Sequence, residues 1–223
     1  MPVCGRKERV FCVQTKRLST GLILLACVSW SFSGLLTRLI PWNALTIAGA
    51  RALVAAVFLG LARRDFRPAN TFGNWLGAFG VMATSVLFIL ANKYTSAANA
   101  IVLQYAMPVV VILFEAVVRK KRPSKLDVAG VAVILAGVVL CFLEGLTPEG
   151  MLGNVLALGA AFTFAIVYLA ARRPDCDALS YSYQGNLATA VLALYLPFDP
   201  GASAEATPFL AALGMGVALT LGY

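Results

Sequence analysis

Gln104 and Pro108 stand four residues apart in a run that carries no charge from Ala97 until Glu115. Proline has no N–H, so in a helix the carbonyl of Gln104 loses its partner, and an open carbonyl then lies beside a side-chain amide. Such a pair offers hydrogen bonds to a polar solute but no acid, base or nucleophile. At helical spacing Ala97, Ile101, Gln104, Pro108, Val111 and Glu115 share one face, and a kinked helix would turn Gln104 toward a central cavity. The alternative is that the proline bends the helix for packing and Gln104 bonds a neighbouring helix.

Arg51 is the cation set well inside an apolar run. It lies roughly 10 Å from the start of its run by helical rise, so its side chain has the reach to snorkel back as an interface anchor. The functional alternative is a carboxylate or anion contact in a water-filled cavity, which the guanidinium fork suits. Glu115 sits one turn before Arg119, giving either an (i, i+4) ion pair at a membrane rim or, alternatively, a proton-coupling group. Trp30, Tyr105 and Phe162 would supply aromatic walls for a small amphipathic solute, with Thr163 beside Phe162. Small hydroxyl residues such as Ser29, Ser33 and Thr37, and the stripe Ser85, Phe88 and Asn92, read as close helix packing or as cavity lining.

Chemistry of other kinds has no residues to carry it. There is no histidine, and the five cysteines (Cys4, Cys12, Cys27, Cys141, Cys176) show no CxxC spacing, which speaks against a zinc site or a disulfide framework. The absence of a nucleotide-binding glycine loop, paired carboxylates and a nucleophile–base set predicts a chain that is no enzyme and needs no cofactor.

The elements that position these residues must lie in a membrane. Hydrophobic residues make up 60% of the 223 and charged ones 13%, a ratio no water-soluble domain of this length could expose. Runs long enough to cross about 30 Å of hydrocarbon occur at 18–37, 44–62, 75–92, 97–118, 128–143, 150–171, 179–196 and 207–223. Connections between them are a few residues long. Basic residues cluster before the first run, at Arg63 to Arg67, at Arg119 to Lys125 and at Arg172 and Arg173, which takes in fifteen of the 18 Lys and Arg; Glu144, Glu149, Asp199 and Glu205 occupy alternate connections. The N-terminus and the basic connections are therefore expected in the cytosol, and the chain in the cytoplasmic membrane. The net charge of +8 flanks spans rather than forming one face, so it predicts contact with lipid headgroups and not with nucleic acid. Leu24-Leu25-Ala26-Cys27 resembles a lipoprotein cleavage site, yet the apolar run continues to Thr37, longer than a signal peptide's core.

The sequence repeats itself weakly. At an offset of 132, Gly21, Leu24 and Phe32 meet Gly153, Leu156 and Phe164; at 134, Leu45, Leu53, Ala56 and Val57 meet Leu179, Leu187, Ala190 and Val191. Five spans per unit is an odd number, so the second copy would enter the bilayer inverted. The runs Tyr94 to Ala100, Ala106-Met107-Pro108-Val109, Lys121-Arg122-Pro123-Ser124 and Gly130 to Val138 resemble the first half of EamA-type proteins of the drug/metabolite transporter superfamily. Members commonly have an acid where Lys121 stands.

The resemblance implies an all-α integral membrane protein of two inverted five-helix repeats. About eight of the expected ten transmembrane helices would be present, the second repeat being incomplete. The expected organisation is a basic segment at 1–17, a first repeat at 18–143 and a second at 150–223. It further implies transport of small metabolites such as amino acids, in the direction of export, by alternating access. Gln104, Tyr105, Trp30, Arg51, Phe162 and Thr163 are then the candidate solute contacts. The other readings are nucleotide-sugar carriage, a non-transporting scaffold and an inactive fragment. A half-built second repeat would not transport by itself and would need a homodimer partner to supply helices in trans. The topology has a direct check. In a variant without the other four cysteines, an impermeant maleimide applied to intact cells should spare Cys176 and reach a Thr147→Cys substitution, while a permeant one labels both; the reverse pattern would overturn the orientation.

Overall fold

The computed structural model describes residues 40–118, 120, 122–144, 148–199 and 210–217, together with 21, 24 and 28. Every regular element among them is helical: α1 (Ala44–Arg63), α2 (Phe72–Tyr94), α3 (Ala97–Gln104), α4 (Met107–Val118), α5 (Lys125–Glu144), α6 (Pro148–Ala171), α7 (Ala178–Ala190) and a 3-10 segment (Val191–Phe198). Residues 210–217 are helical as well, as are Gly21, Leu24 and Val28 within the expected first span. Among the described residues, four stretches are long and apolar enough to cross a membrane: Ala44–Arg63, Phe72–Tyr94, Ala97–Val118 taken across its break, and Gly150–Ala171. The second to seventh expected spans thus fall on helical segments, and most of the first and last lies outside the described residues.

Polar residues at the ends set the boundaries. Asn43, Thr71, Ser96 and Asp177 each accept a hydrogen bond from a backbone N–H of the first turn that follows, satisfying donors the helix itself cannot. Ser124 and Asp127 do this reciprocally: Asp127 N–H donates to Ser124 Oγ at 3.1 Å, and Ser124 N–H to Asp127 Oδ2 at 2.8 Å. Arg64 closes α1 in the left-handed region at φ 54°, its N–H reaching the Leu61 carbonyl.

Two expected helices depart from the sequence reading. The fourth span is broken at Tyr105 and Ala106 into α3 and α4, beyond the kink foreseen at Pro108. The seventh is α-helical only to Ala190 and then tightens into 3-10 geometry. An α-helical ladder would require an N–H from Pro197 to Ala193, which proline cannot give. Ala193 is also where α1 crosses closest: a Cβ on Gly49 would lie 2.1 Å from the Ala193 nitrogen.

The core is built from such close crossings. Gly77 and Gly80 of α2 leave room for Tyr181 and Val167, and Gly185 of α7 sits against Val81 and the Ala78 carbonyl. Small residues let backbones approach closely, the main attraction available between helices when the solvent is itself hydrocarbon. The α2–α6 seam adds a buried hydroxyl pair, Thr84 with Thr163 at 2.8 Å, and near its other end Thr95 Oγ1 donates to Asn154 Oδ1 at 2.8 Å.

The basic connections gather at one end of the bundle. Tyr183 OH donates to the Phe66 carbonyl, Gln184 to Ala69, and Thr71 Oγ1 to the Asp175 carbonyl at 2.7 Å. The Asp175 carboxylate accepts from Gly73 N–H at 2.9 Å and from Arg173 Nε at 3.0 Å. Those bonds, the Gly73 amide first, hold its carboxyl below the ordinary carboxylate value. Burial pushes the neighbouring Cys176 thiol up, and the charges of Asp175 and Asp177 add to the effect. At the opposite end Asn43 N–H donates to Asp199 Oδ2 at 2.7 Å, and Lys93 to the Ile40 carbonyl at 3.0 Å.

Two measurements test this packing. Gly49→Ala should lower the thermal midpoint of the detergent-solubilised protein by an overpacking cost of about 1–3 kcal/mol. Gly137→Ala, where a Cβ meets nothing within 4 Å, should leave the midpoint unchanged or raise it by about 0.5–1 kcal/mol of helix propensity. Equal shifts would contradict the crossing. Because Asp175 has a lowered folded-state value, its contribution is complete above the ordinary carboxylate range and is lost as pH falls through the depressed value. The stability gap between the wild type and Asp175→Asn should therefore close on acidification; a gap that widens would refute the clamp.

Candidate functional site

The break between α3 and α4 sets the site. Tyr105 N–H reaches back to Ile101, Ala106 N–H to Leu103 and Val109 N–H to Ala106, so the ladder shortens from i→i−4 to i→i−3 across the turn. Pro108 falls in the first turn of α4, where a missing N–H costs least. Gln104 closes α3 and is half-buried, while Tyr105 turns outward at 54% exposed.

Directly below the break a cavity of about 380 Å3 opens between α4, the start of α5 and the end of α6. Met107, Pro108, Val111 and Ile112 give it an apolar wall. Its rim is charged: Glu115 on α4, Arg122 and Asp127 around the α5 N-terminus, and Arg172 just past α6. Glu115 and Arg172 form an ion pair across the helices. The Arg172 guanidinium also donates to Tyr168 OH at 2.8 Å and lies 4.7 Å from the centre of that ring. Pro108, Val111 and Glu115, the lower half of the face drawn from the sequence, line this space, and Gln104 stands one turn above it.

The remaining candidate residues do not converge on it. Arg51 is only 3% exposed and donates through Nη2 to the Ser85 carbonyl at 3.4 Å. The expected snorkel to the membrane boundary is thus corrected: the side chain is covered within the bundle and donates to a backbone carbonyl there. Thr163 is buried in the α2–α6 seam, and besides Thr84 it has the Gly159 and Ala160 carbonyls within 3.2 Å. Phe162, one residue away, faces outward at 57% exposed. Ser85 and Asn92 are buried, and Asn92 Nδ2 donates to the Phe88 carbonyl at 2.9 Å. Trp30, Arg119 and the first-span hydroxyl residues lie outside the described residues.

Sequence reasoning missed Tyr168, Arg172, Arg122 and Asp127 as a group. Arg122 and Arg172 entered only the topological charge count, and Tyr168 and Asp127 were not singled out. One signal was available: Tyr168 and Arg172 share a helix face at (i, i+4) at a membrane rim, where the acid Glu115 also lies.

The arrangement can hold a small solute with both charged and apolar parts, and it contains no group suited to covalent chemistry. Comparison with known proteins bears on what such a bundle is. No curated protein matches the chain. A solved structure, titled only "Crystal structure of protein", shares the fold with a TM-score of 0.63 at 21% identity, over 91% of this chain and 77% of that one. Residues 18–143 match the model of the EamA-like transporter family. That match takes in α1 to α5, including the break and the apolar wall below it, and by it this multi-pass membrane protein belongs to the EamA-like transporter family.

Proposed function

We propose that the chain serves secondary transport, exporting small metabolites such as amino acids across the cytoplasmic membrane, its N-terminus in the cytosol. The observation that carries this reading is the interrupted helix at Gln104 to Met107, set immediately above a cavity walled by three helices. Irregular backbone at membrane depth is tolerated where it is buried in protein or lines a cavity, and transporter sites are commonly made from interrupted helices. A volume of about 380 Å3 sits near the low end of small-molecule pockets, which span about 300–1,000 Å3. A single amino acid fits that space better than a nucleotide sugar.

Alternating access is proposed to run between residues 18–143 and an inverted counterpart beginning at 150. The contacts support this pairing. Gly49 touches Ala193, and their counterparts at the offset of 134, Tyr183 and Leu59, cluster together. Gly185 packs on Ala78 and Val81; its counterpart Arg51 presents its carbonyl to the helical turn containing Gly216, next to Met215, the counterpart of Val81. These two sets of neighbours are what an inverted repeat at this offset would produce.

In cells expressing the protein, Gln104→Ala should reduce saturable amino-acid efflux about tenfold, the cost of one hydrogen bond, with little loss of folded protein. Arg51→Lys, which cannot reproduce the guanidinium geometry, should lower efflux and folded protein together. A parallel fall of both quantities for Gln104→Ala would assign Gln104 to packing, and efflux unchanged in that variant would remove it from the site.

A further inference from the structure

We propose that the α1–α2 connection and the first turns of α2 form a docking surface for one anionic glycerophospholipid, its headgroup among Arg64, Arg67 and Arg173 and an acyl chain along Phe72, Trp75 and Phe79. The inference rests on the membrane placement of the chain and is independent of the transport reading.

The rings give the surface its direction. Phe72, Trp75 and Phe79 stand at i, i+3 and i+7 on α2, so they share one face, and each is more than half exposed. They extend about 10 Å along a helix that is long and apolar enough to cross the bilayer. The same face continues through Met82, Ala83 and Val86, which are half-buried, so the open aromatic strip belongs to the basic end. Trp75 is also oriented. Its indole N–H donates to Asn70 Oδ1 at 3.0 Å, which ties the polar edge of the ring to the connection and leaves its apolar body for hydrocarbon.

The arginines give the surface its charge. Between Arg63 and Asn70 the connection holds three arginines and one aspartate, an excess of two positive charges. Arg63 is committed to the fold: Nη2 donates to the Arg67 carbonyl at 3.2 Å, and the guanidinium lies 4.9 Å from the centre of the Tyr183 ring. The side chains of Arg64 and Arg67 have no acceptor among the described residues, and Asp65 accepts from the Arg67 backbone N–H at 2.9 Å. Arg173 joins the charged part to the apolar one, its guanidinium 5.2 Å from the centre of the Phe72 ring. Asp175 meets Arg173 at Nε, one of five N–H donors, and the two terminal nitrogens have no protein acceptor among the described residues.

Charge and rings together select the partner. A soluble anion would meet the arginines and gain nothing from three rings aligned along a membrane-spanning helix. A neutral lipid would meet the rings and leave the excess charge unanswered, and a zwitterionic phospholipid brings a cation of its own to the arginines. An anionic glycerophospholipid satisfies both parts, its phosphate accepting charge-assisted hydrogen bonds while its chain covers the rings.

The test uses the purified protein in mixed micelles of nonionic detergent with dibrominated phosphatidylglycerol or dibrominated phosphatidylcholine, whose bromines quench tryptophan at contact. The Trp75 signal is the difference between the wild type and Trp75→Phe. Phosphatidylglycerol should half-quench it at a mole fraction at least about fivefold below phosphatidylcholine, the worth of one basic residue at an anionic surface. Equal mole fractions for the two lipids would overturn the proposal. The paired substitution Arg64→Gln and Arg67→Gln leaves the backbone bonds of both residues in place and should bring the two lipids to within about twofold of each other. Arg173→Gln should also weaken the preference; a preference kept in full by both folded variants refutes the assignment. If Arg173→Gln fails to fold, the paired substitution decides. Inorganic phosphate in excess over lipid, at constant ionic strength, should leave quenching by phosphatidylglycerol in place, and loss of quenching would assign the arginines to free phosphate and overturn the lipid site.

Discussion

In hydrocarbon no water replaces a missing backbone partner, and that constraint governs this molecule more than any single contact. It explains why every described element is helical and why the turns lie at the two ends. It also makes the interruption at Tyr105 and Ala106 informative. At Gln104 to Met107 the ladder shortens from i→i−4 to i→i−3 inside a stretch long and apolar enough to cross the bilayer. The cavity below the break is continuous with this defect. Its apolar wall and the broken helix are the same stretch of chain, which is why one proline shapes both.

The second organising element is the short connection from Arg172 to Asp177. It fastens three helices within six residues: Arg172 to Glu115 on α4, Asp175 to the start of α2, and Asp177 to the start of α7, with its own N–H donating to Asn74. Charges at a membrane surface are partly screened, and individually such bonds contribute little. Their effect here is geometric. They hold the ends of α2 and α4 at a fixed distance from the end of α6, and so define the mouth of the cavity.

How much of this could be read beforehand depended on the range of each interaction. Helix positions were legible because they rest on local features: apolar length, the basic clusters that flank the runs, and proline at 108. Facing directions were not. Arg51 could be placed in depth by counting residues, but whether it turned to lipid, water or protein depends on Ser85, which is 34 residues distant. Glu115 was read beside Arg119, which lies outside the described residues, and its ion pair with Arg172 joins residues 57 apart, beyond the reach of local spacing. Phe162 and Thr163 were taken together as solute contacts, and a step of about 100° along a helix separates an outward ring from a buried hydroxyl. The tightening at Val191 was hidden because its two causes, Pro197 and the crossing at Gly49, lie on different segments.

The hydroxyl pair in the α2–α6 seam has a mechanical meaning. In the Thr84–Thr163 contact either oxygen can donate, and Thr163 has two further carbonyls of its own helix within reach. A hydroxyl rotates about a single bond and can exchange one acceptor for another without leaving its place. A small displacement of one helix along the other would then redirect a proton and leave no polar atom stranded. A seam of glycines and alanines alone would be equally close but would offer only steric contact, and an amide pair would be locked to one register. A swivelling hydroxyl in the seam thus lets its polar atoms stay satisfied across small changes of register that a fixed amide pair would not accommodate.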